Sequence, residues 1–467
     1  LNLIGAELLA PDIQKPGISG KIGSTEDTPR SVIFGEYATR GSLVYHITWG
    51  KAGDHHNAYY TRITAVSDLP VKGLKTVWVD GRKCRLDWRR AGIYGAGTPL
   101  VEFTSPSVSA TYDDETGYWR DENGLIFNPD VTGNGELKAF AWVRFHDGTQ
   151  TAADEFMLNE VQNAAYPWGA DAVGFGVAYA ITTFRFSDTY FRGLPDVIFE
   201  VSGVPLVNPV TGQAGTDDEN PIVQAAAIVA GLRYGDQWLY GPQGPAAGRI
   251  LPDGLDWQIA ACNVPVPGAD EMTSEERVAA FGSDQIPARY RSGYEVRCDQ
   301  EAPDVLKEIL KAANGRFIDL GDCVRFQVGD PTDAGATITD DDILVTRPRS
   351  KVPFGSLADL VNGVRAIYPE PSAGWEVQDA PALYFPVLEA LDDGRRLPSD
   401  VQLNAVPYAE QVQRLMQITV LEGRREIRHE IELPAPFDGL EAGDFVDWTS
   451  AQFGYDAKRF RVVQSVP

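Results

Sequence analysis

The chain has 467 residues, of which 43% are hydrophobic and 10% aromatic, with 46 Gly and 31 Pro spread along it. This composition argues against disorder, and the length calls for about two to four domains. The formal net charge of -25, from 66 acidic and 41 basic residues, argues against sequence-specific DNA binding, which rests on Lys and Arg neutralising phosphates. It is compatible with walling a channel through which DNA slides without adhering.

The four cysteines, Cys84, Cys262, Cys298 and Cys323, lie far apart with no C-x-x-C. They predict neither structural zinc nor a disulfide framework, but free thiols in a chain made in the cytoplasm. No apolar run reaches the roughly 18 to 20 residues of a membrane span. The opening LNLIGAELLAPDIQKPG has no basic n-region and does not read as a signal peptide. It lacks an initiator Met, and the chain is expected to be a portion of something longer.

Residues 1–30, broken by Pro11, Pro16 and Pro29, read as an irregular arm. Residues 31–209 read as a first β-rich region. SVIFGEY (31–37) and GSLVYHITWG (41–50) lead it, followed by AYYTRITAV (58–66) and LKTVWVDGRKCRL (74–86), with the hairpin dipeptide Asp80-Gly81. FTSPSVSATYDDETGYWRDENGLIFNPDVTGNG (103–135) reads as a long polar loop. Strands resume at ELKAFAWVRFHDG (136–148) and AVGFGVAYAITTFRF (172–186), and PDVIFEVSGVPLVNP (195–209) reads as a pair of strands.

Residues 210–285 read as helical and loop segments. Asn220 caps PIVQAAAIVAGL with Pro221 in the first turn, LDWQIAACNVPV (255–266) is a second helix, and SEERVAAFG (274–282) a third, capped by Ser274. A small α/β domain spans 286–345: the strand RYRSGYEVRC, the helix APDVLKEILKAANG with a buried stripe of Val305, Leu306, Ile309 and Leu310, and the hairpin RFIDLGDCVRFQVG. Residues 346–467 read as a C-terminal β-rich domain, completed in part by earlier segments. It holds a strand in 359–371, a helix in 408–423, the strand REIRHEIELP (425–434) and closing strands in 439–450 and 458–466. No fixed-period repeat is present.

Candidate chemistry is sparse. Three of the five histidines, His46, His55 and His56, lie within eleven residues. Adjacent strand residues face opposite ways, so His55 and His56 do not converge without a bent backbone. The turn composition GKAGDHHN, with Asp54, favours surface histidines over a metal or catalytic centre. DVTGNGEL (130–137) resembles half a calcium loop through Asp130, Thr132, Asn134 and Gly135, but Ala141 stands where a bidentate Glu is needed. The carboxylates of 113–124 lack ligand spacing, and GLRYGDQWLYGPQG (231–244) is either a sugar-binding or, more in keeping with its composition, a packing loop. G-x-S-x-G, H-E-x-x-H and P-loop patterns are absent. No catalytic, cofactor-binding or metal residue is assigned, and an enzyme is not expected.

Taken in order, several stretches resemble the central tail hub proteins of long-tailed phages, the group of the lambda tail-tip host-specificity protein and the baseplate hub of gene transfer agents. NAYYTRITAVSDLPVKGLKTVWVDGRK, VRFHDGTQTAADEF and NPIVQAAAIVAGLRYG come first. YEVRCDQEAPDVLKEILKAANGRFIDLGDCVRFQVG (294–329) resembles the family's most recognisable unit. YAEQVQRLMQITVLEGRREIRHEIELP then GLEAGDFV resembles its Gln-x-x-Arg helix, strand and Gly-Asp turn, with Arg414, Gly443 and Asp444 in place and Gln413 out of strict register.

The resemblance covers about residues 30–466. It implies a mainly β, multi-domain chain with α+β insertions and β-barrel domains like those of tail tubes and baseplate hubs. It further implies a homotrimer in the virion at the tail tip or baseplate. The partners it implies are the tail tube, the distal tail protein, the tape measure protein and other baseplate or fibre proteins, with transient proximity to DNA in the lumen. The alternative class is a carbohydrate-binding or glycoside-hydrolase-type protein, which needs an aromatic-lined cleft with converging carboxylates.

Overall fold

The computed structural model describes residues 29–466 apart from 53–54, 87–95, 105–110, 114–117, 121–125, 128–138, 162–165, 192, 244–248, 282, 322, 330–332, 346–348, 354–359 and 426. The chain divides into two compact units, residues 1–205 with 295–299, and residues 206–294 with 300–467.

In the first unit the stretch SVIFGEY is two strands, β1 (Ser31–Phe34) and β2 (Glu36–Thr39). Gly35 at φ +61° breaks it and lets the halves join different sheets. A long hairpin follows, β3 (Ser42–Ala52) and β4 (His55–Ser67). β5 (Gly73–Val79) and β6 (Arg82–Cys84) meet at Asp80-Gly81, both at positive φ as a type I′ turn requires. After β7 (Thr98–Pro99), the segment expected to be loop carries three short strands, β8 (Thr111–Asp113), β9 (Tyr118–Arg120) and β10 (Ile126–Phe127), paired in the order β10–β9–β8. β11 (Ala141–His146), α1 (Glu155–Asn159), β12 (Ala178–Arg185) and β13 (Val197–Ser202) complete the unit.

Two antiparallel sheets result, β3–β4–β12–β11–β7 and β2–β13–β5–β6. Their inner faces share one core in which Tyr60, Ala180 and Phe184 meet Val77, Val79, Phe199 and Val201. The outer face of the larger sheet is also covered, where Ile47, Ile63, Trp142 and Ile181 pack with Phe156 and Met157 of α1. β12, whose residues read as alternating, is therefore buried along nearly its whole length, with Thr182 and Thr183 inside as well. The barrel expectation is corrected here: among the described residues no sheet closes on itself. The larger sheet ends at β7, a two-residue strand containing Pro99, whose missing N–H suits an edge. Of the two strands expected in 195–209, only β13 forms. Gly203 then lies so close that an added Cβ would stand 2.3 Å from the Ile33 carbonyl oxygen.

The second unit opens with α2 (Pro221–Ala230), capped as expected by Asn220, whose side chain accepts from Ile222 N and Val223 N. The loop-like GLRYGDQWLYG folds into a hairpin, β14 (Leu232–Tyr234) and β15 (Gln237–Tyr240). α3 (Leu255–Asn263) and α4 (Ser274–Phe281) follow. Thr273, not Ser274, caps α4: its hydroxyl accepts from Glu276 N while the Glu276 carboxylate accepts from Thr273 N. β16 (Tyr294–Arg297) pairs with β1 through residues assigned to the first unit.

α5 (Ala302–Lys311) buries Val305, Leu306, Ile309 and Leu310, the stripe its periodicity predicts. Each such side chain contributes about 1.5–3 kcal/mol on full burial. The hairpin β17 (Arg316–Asp319) and β18 (Val324–Gln327) follows directly.

The remainder comprises β19 (Ala336–Thr339), β20 (Ser350–Val352), β21 (Gly363–Glu370), β22 (Glu376–Asp379), β23 (Leu383–Tyr384), α6 (Pro386–Leu391) and β24 (Pro398–Gln402). They are followed by α7 (Ala409–Gly423), β25 (Arg428–Glu430), β26 (Phe445–Ser450) and β27 (Tyr455–Arg461). β21 is flanked by β22, β23 and the parallel β24, whereas β19 runs parallel to β26, which pairs with β27. REIRHEIELP, expected as a strand over 425–434, is one only at β25, which pairs with β20; its Ile431 and Leu433 pack on the β19–β26–β27 core instead of alternating in a ladder.

Candidate functional site

A densely hydrogen-bonded polar region of the second unit lies around the segment 289–293. Gln411 on α7 is fully buried. Its amide nitrogen donates to the carbonyls of Arg291 and Ala312, each at 2.8 Å, and its amide oxygen accepts from Arg291 N at 3.0 Å. One turn on, Arg414 donates to the Arg289 carbonyl at 2.8 Å. Burial pulls the Arg414 pKa down, with Glu410 opposing and Arg291 reinforcing that shift.

From the other side, the buried Gln224 of α2 donates to the carbonyls of Asp218 and Ser292 and accepts from the Ser292 hydroxyl. Asn220 adds bonds to the Ile259 carbonyl and to Asn263 Oδ1. Arg291 stacks 3.8 Å over the Tyr408 ring and pairs with Glu410 at 2.8 Å. Gln224 of α2 and Gln411 of α7 thus tie their helices to one extended segment, while Asn220 joins α2 to α3 and Gln411 reaches the C-cap carbonyl of α5. The side-chain amides are hydrogen-bond partners for main-chain groups, so their part in the arrangement is to fix backbone.

A second lock joins β17–β18 to the turn before β26. Arg325 reaches Glu441 at 2.6 Å and Asp444 at 2.8 Å, and Gln327 donates to the Gly443 carbonyl at 2.7 Å. Asp444 also accepts from Glu441 N, closing its own turn. Gly443 sits at φ +96°, and a Cβ there would stand 2.3 Å from Ile318 Cδ1. Gly443 and Asp444 therefore have a plain physical role: a left-handed turn seated against a hairpin. Gln411, rather than Gln413, stands three residues before Arg414, in Gln-x-x-Arg register. Gln413 reaches only the Pro381 carbonyl in an exposed bond. An amphipathic count places Gln411 among Val412, Leu415 and Met416 on the buried face of α7, and that signal was present in the sequence.

The histidines fall on the β3–β4 hairpin. His46 is paired with Arg62, His56 with Lys51, and His55 with Ala52, its ring 4.4 Å from that of Phe186. Asp54 and the half calcium loop at 130–137 lie outside the described residues, as does part of 113–124. Among the described residues no group of three or more His, Cys, Asp or Glu is placed to hold a metal ion. All four cysteines are free of disulfides, and no helix among the described residues is long and apolar enough to cross a membrane. An open cleft of about 480 Å³ in the first unit is lined by Asp80, Asp188, Tyr190 and Leu194. Its Asp80 already accepts from Asp196 N at 2.8 Å.

In the first unit, His146 and Arg144 each stand 2.8 Å from the carboxylate of the fully buried Asp154, which also caps α1 through Met157 N. Burial raises the Asp154 pKa, but the bonds from His146 and Arg144 outweigh it and the net shift is downward.

The second lock, and the α7 side of the first, lie in a region with recognisable relatives. Residues 301–465 match the family described as "Putative phage tail protein". Over nearly its whole length the fold is similar to that of a chain in the "Virion of native gene transfer agent (GTA) particle": 14% identity and a TM-score of 0.52, covering 97% of this chain and 83% of that one. The crystal structure of the prophage MuSo2 43 kDa tail protein from Shewanella oneidensis aligns with 9% identity and a TM-score of 0.28, over 92% of each chain, too distant to bear on the fold. No curated protein matches. The expected resemblance to phage tail proteins holds, and with it the mainly β, multi-sheet architecture.

Proposed function

We propose that this chain is a structural hub protein of a phage or phage-like tail, placed at the tail tip or baseplate, and not an enzyme. The observation that carries the reading is the fold similarity to a gene-transfer-agent particle chain across 97% of the sequence, joined to the phage-tail match at 301–465. The dense amide locking of the second unit supports it, since a load-transmitting part needs fixed backbone more than reactive groups. In this reading the chain assembles as a homotrimer, contacts the tail tube, distal tail and tape measure proteins on one side and fibre or baseplate proteins on the other, and lines a channel for DNA. The net charge of -25 suits such a channel, because a polyanion is repelled rather than held. Synthesis in the host cytoplasm and residence in the virion follow.

Native mass spectrometry of the purified chain tests the proposal. A species three times the 51.0 kDa protomer is expected; a strict monomer at high concentration, together with absence from purified particles, would overturn it.

A further inference from the structure

The last β unit contains a histidine in unusual surroundings. His429, half-buried on β25, is ringed by Trp448, Phe453, Tyr455 and Phe460 with centroid distances of 4.7, 5.1, 5.7 and 5.6 Å. These rings are part of the small core that holds β19, β26 and β27 together with Ile431 and Leu433. His429 Nε2 and the Tyr455 hydroxyl are 2.9 Å apart.

Two cations share the same rings. Lys351, the register partner of His429 on β20, lies 4.4 Å from the Phe453 centroid and 5.5 Å from that of Tyr455. Lys458 of β27 lies 4.9 Å from Tyr455 and 5.7 Å from Phe460. The third packed strand, β26, presents Trp448. Among the described residues no carboxylate hydrogen-bonds or ion-pairs with His429. Its strand neighbours Arg428 and Glu430 point to the opposite face, where Glu430 takes the Ser350 hydroxyl.

We propose that His429 is an acid-sensitive latch: protonating it sets a third positive charge between Lys351 and Lys458 and releases the β20–β25 ribbon from the β19–β26–β27 core. When the neutral ring accepts the Tyr455 proton at Nε2, a proton arriving there also reverses that bond, because both partners would then be donors until the hydroxyl rotates. The aromatic faces attract a cation, but the two lysines already draw on that attraction. Burial, then Lys351 and Lys458, lower the His429 pKa from its ordinary value. A histidine whose pKa is lower folded than unfolded gives stability that is whole above the unfolded value and is lost as pH falls through the window down to the folded one.

The test uses the full chain, labelled at histidine Cε1 for NMR and, in parallel, followed by amide hydrogen exchange corrected for intrinsic rate. The chain has 5 His, and His429→Phe assigns the signal. The His429 signal is expected to titrate below the ordinary histidine midpoint of about 6.5. Exchange at 350–352 and 428–430 is expected to rise with the same midpoint, about tenfold if the folded midpoint lies one pH unit below the unfolded one, while β3 and β4 stay protected. His429→Phe keeps a ring and should abolish the rise; Lys351→Met should move the midpoint upward. A midpoint at or above 6.5, unchanged exchange at those strands, or an undiminished acid response in His429→Phe would each overturn the latch. If His429→Phe does not fold, the wild-type midpoint and Lys351→Met still decide.

Discussion

Replacing Gln411 with Leu removes three hydrogen bonds while keeping the side chain's approximate volume. Gln411 is fully buried, so water does not readily replace the amide. Each lost bond costs about 0.5–1.5 kcal/mol net, and a buried donor left without an acceptor, here Arg291 N, costs about 1–3 kcal/mol. Added apolar burial returns part of this, leaving an expected loss of about 2–4 kcal/mol, large against the roughly 5–15 kcal/mol of a whole domain. The control is Gln413→Ala, two residues away on the same helix, where one exposed bond is lost and the change should stay within about 0.5 kcal/mol. Because the chain has two compact units, a single global transition is not assumed. Amide exchange read locally over 287–294 and 409–416, beside urea denaturation, is the suitable assay. Equal effects of the two substitutions, or a Gln411→Leu loss below about 1 kcal/mol, would refute the keystone reasoning.

Asp154→Asn should destabilise the first unit by about 2–3 kcal/mol, because Arg144 and His146 lose a buried anionic partner. In the wild type the lowered Asp154 pKa means that this stability is present above the ordinary Asp value and is lost as pH falls below it; acid unfolding curves of the two proteins should therefore converge at low pH. Gly443→Ala should cost about 1–3 kcal/mol through its φ of +96° alone, with loosened exchange at β17–β18. Gly212→Ala, also at positive φ but with nothing within 4 Å, separates backbone strain from the contact with Ile318 when both are measured by thermal unfolding.

Local signals read well from sequence. The Asp80-Gly81 turn, the Asn220 cap and the stripe of α5 each depend on a few neighbouring residues, and each stands where expected. Features set by distant partners did not. Polar composition masks the β8–β9–β10 meander, whose pairing lies in the backbone. Among the described residues, the barrel expected from family resemblance gives way to two stacked sheets that do not close, because sheet closure depends on which edges meet rather than on any strand's pattern. REIRHEIELP alternates well, yet only three residues find a partner strand. In the candidate site, Arg414, Gly443 and Asp444 were legible as a motif, whereas the part played by Gln411 depends on carbonyls 99 and 120 residues away in sequence. The histidine pair read as a hairpin feature, and a hairpin is where it lies. His429 gave no sequence signal, because its aromatic ring is assembled from β26, β27 and the turn between them.

The most direct measurement of the central claim is an electron cryomicroscopy reconstruction of the native particle. The expected result is density fitting this chain's two units as a threefold ring at the end of a sixfold tube. A particle whose tail end contains no density for this fold, while the chain is abundant elsewhere in the producing cell, would contradict a structural tail-hub role.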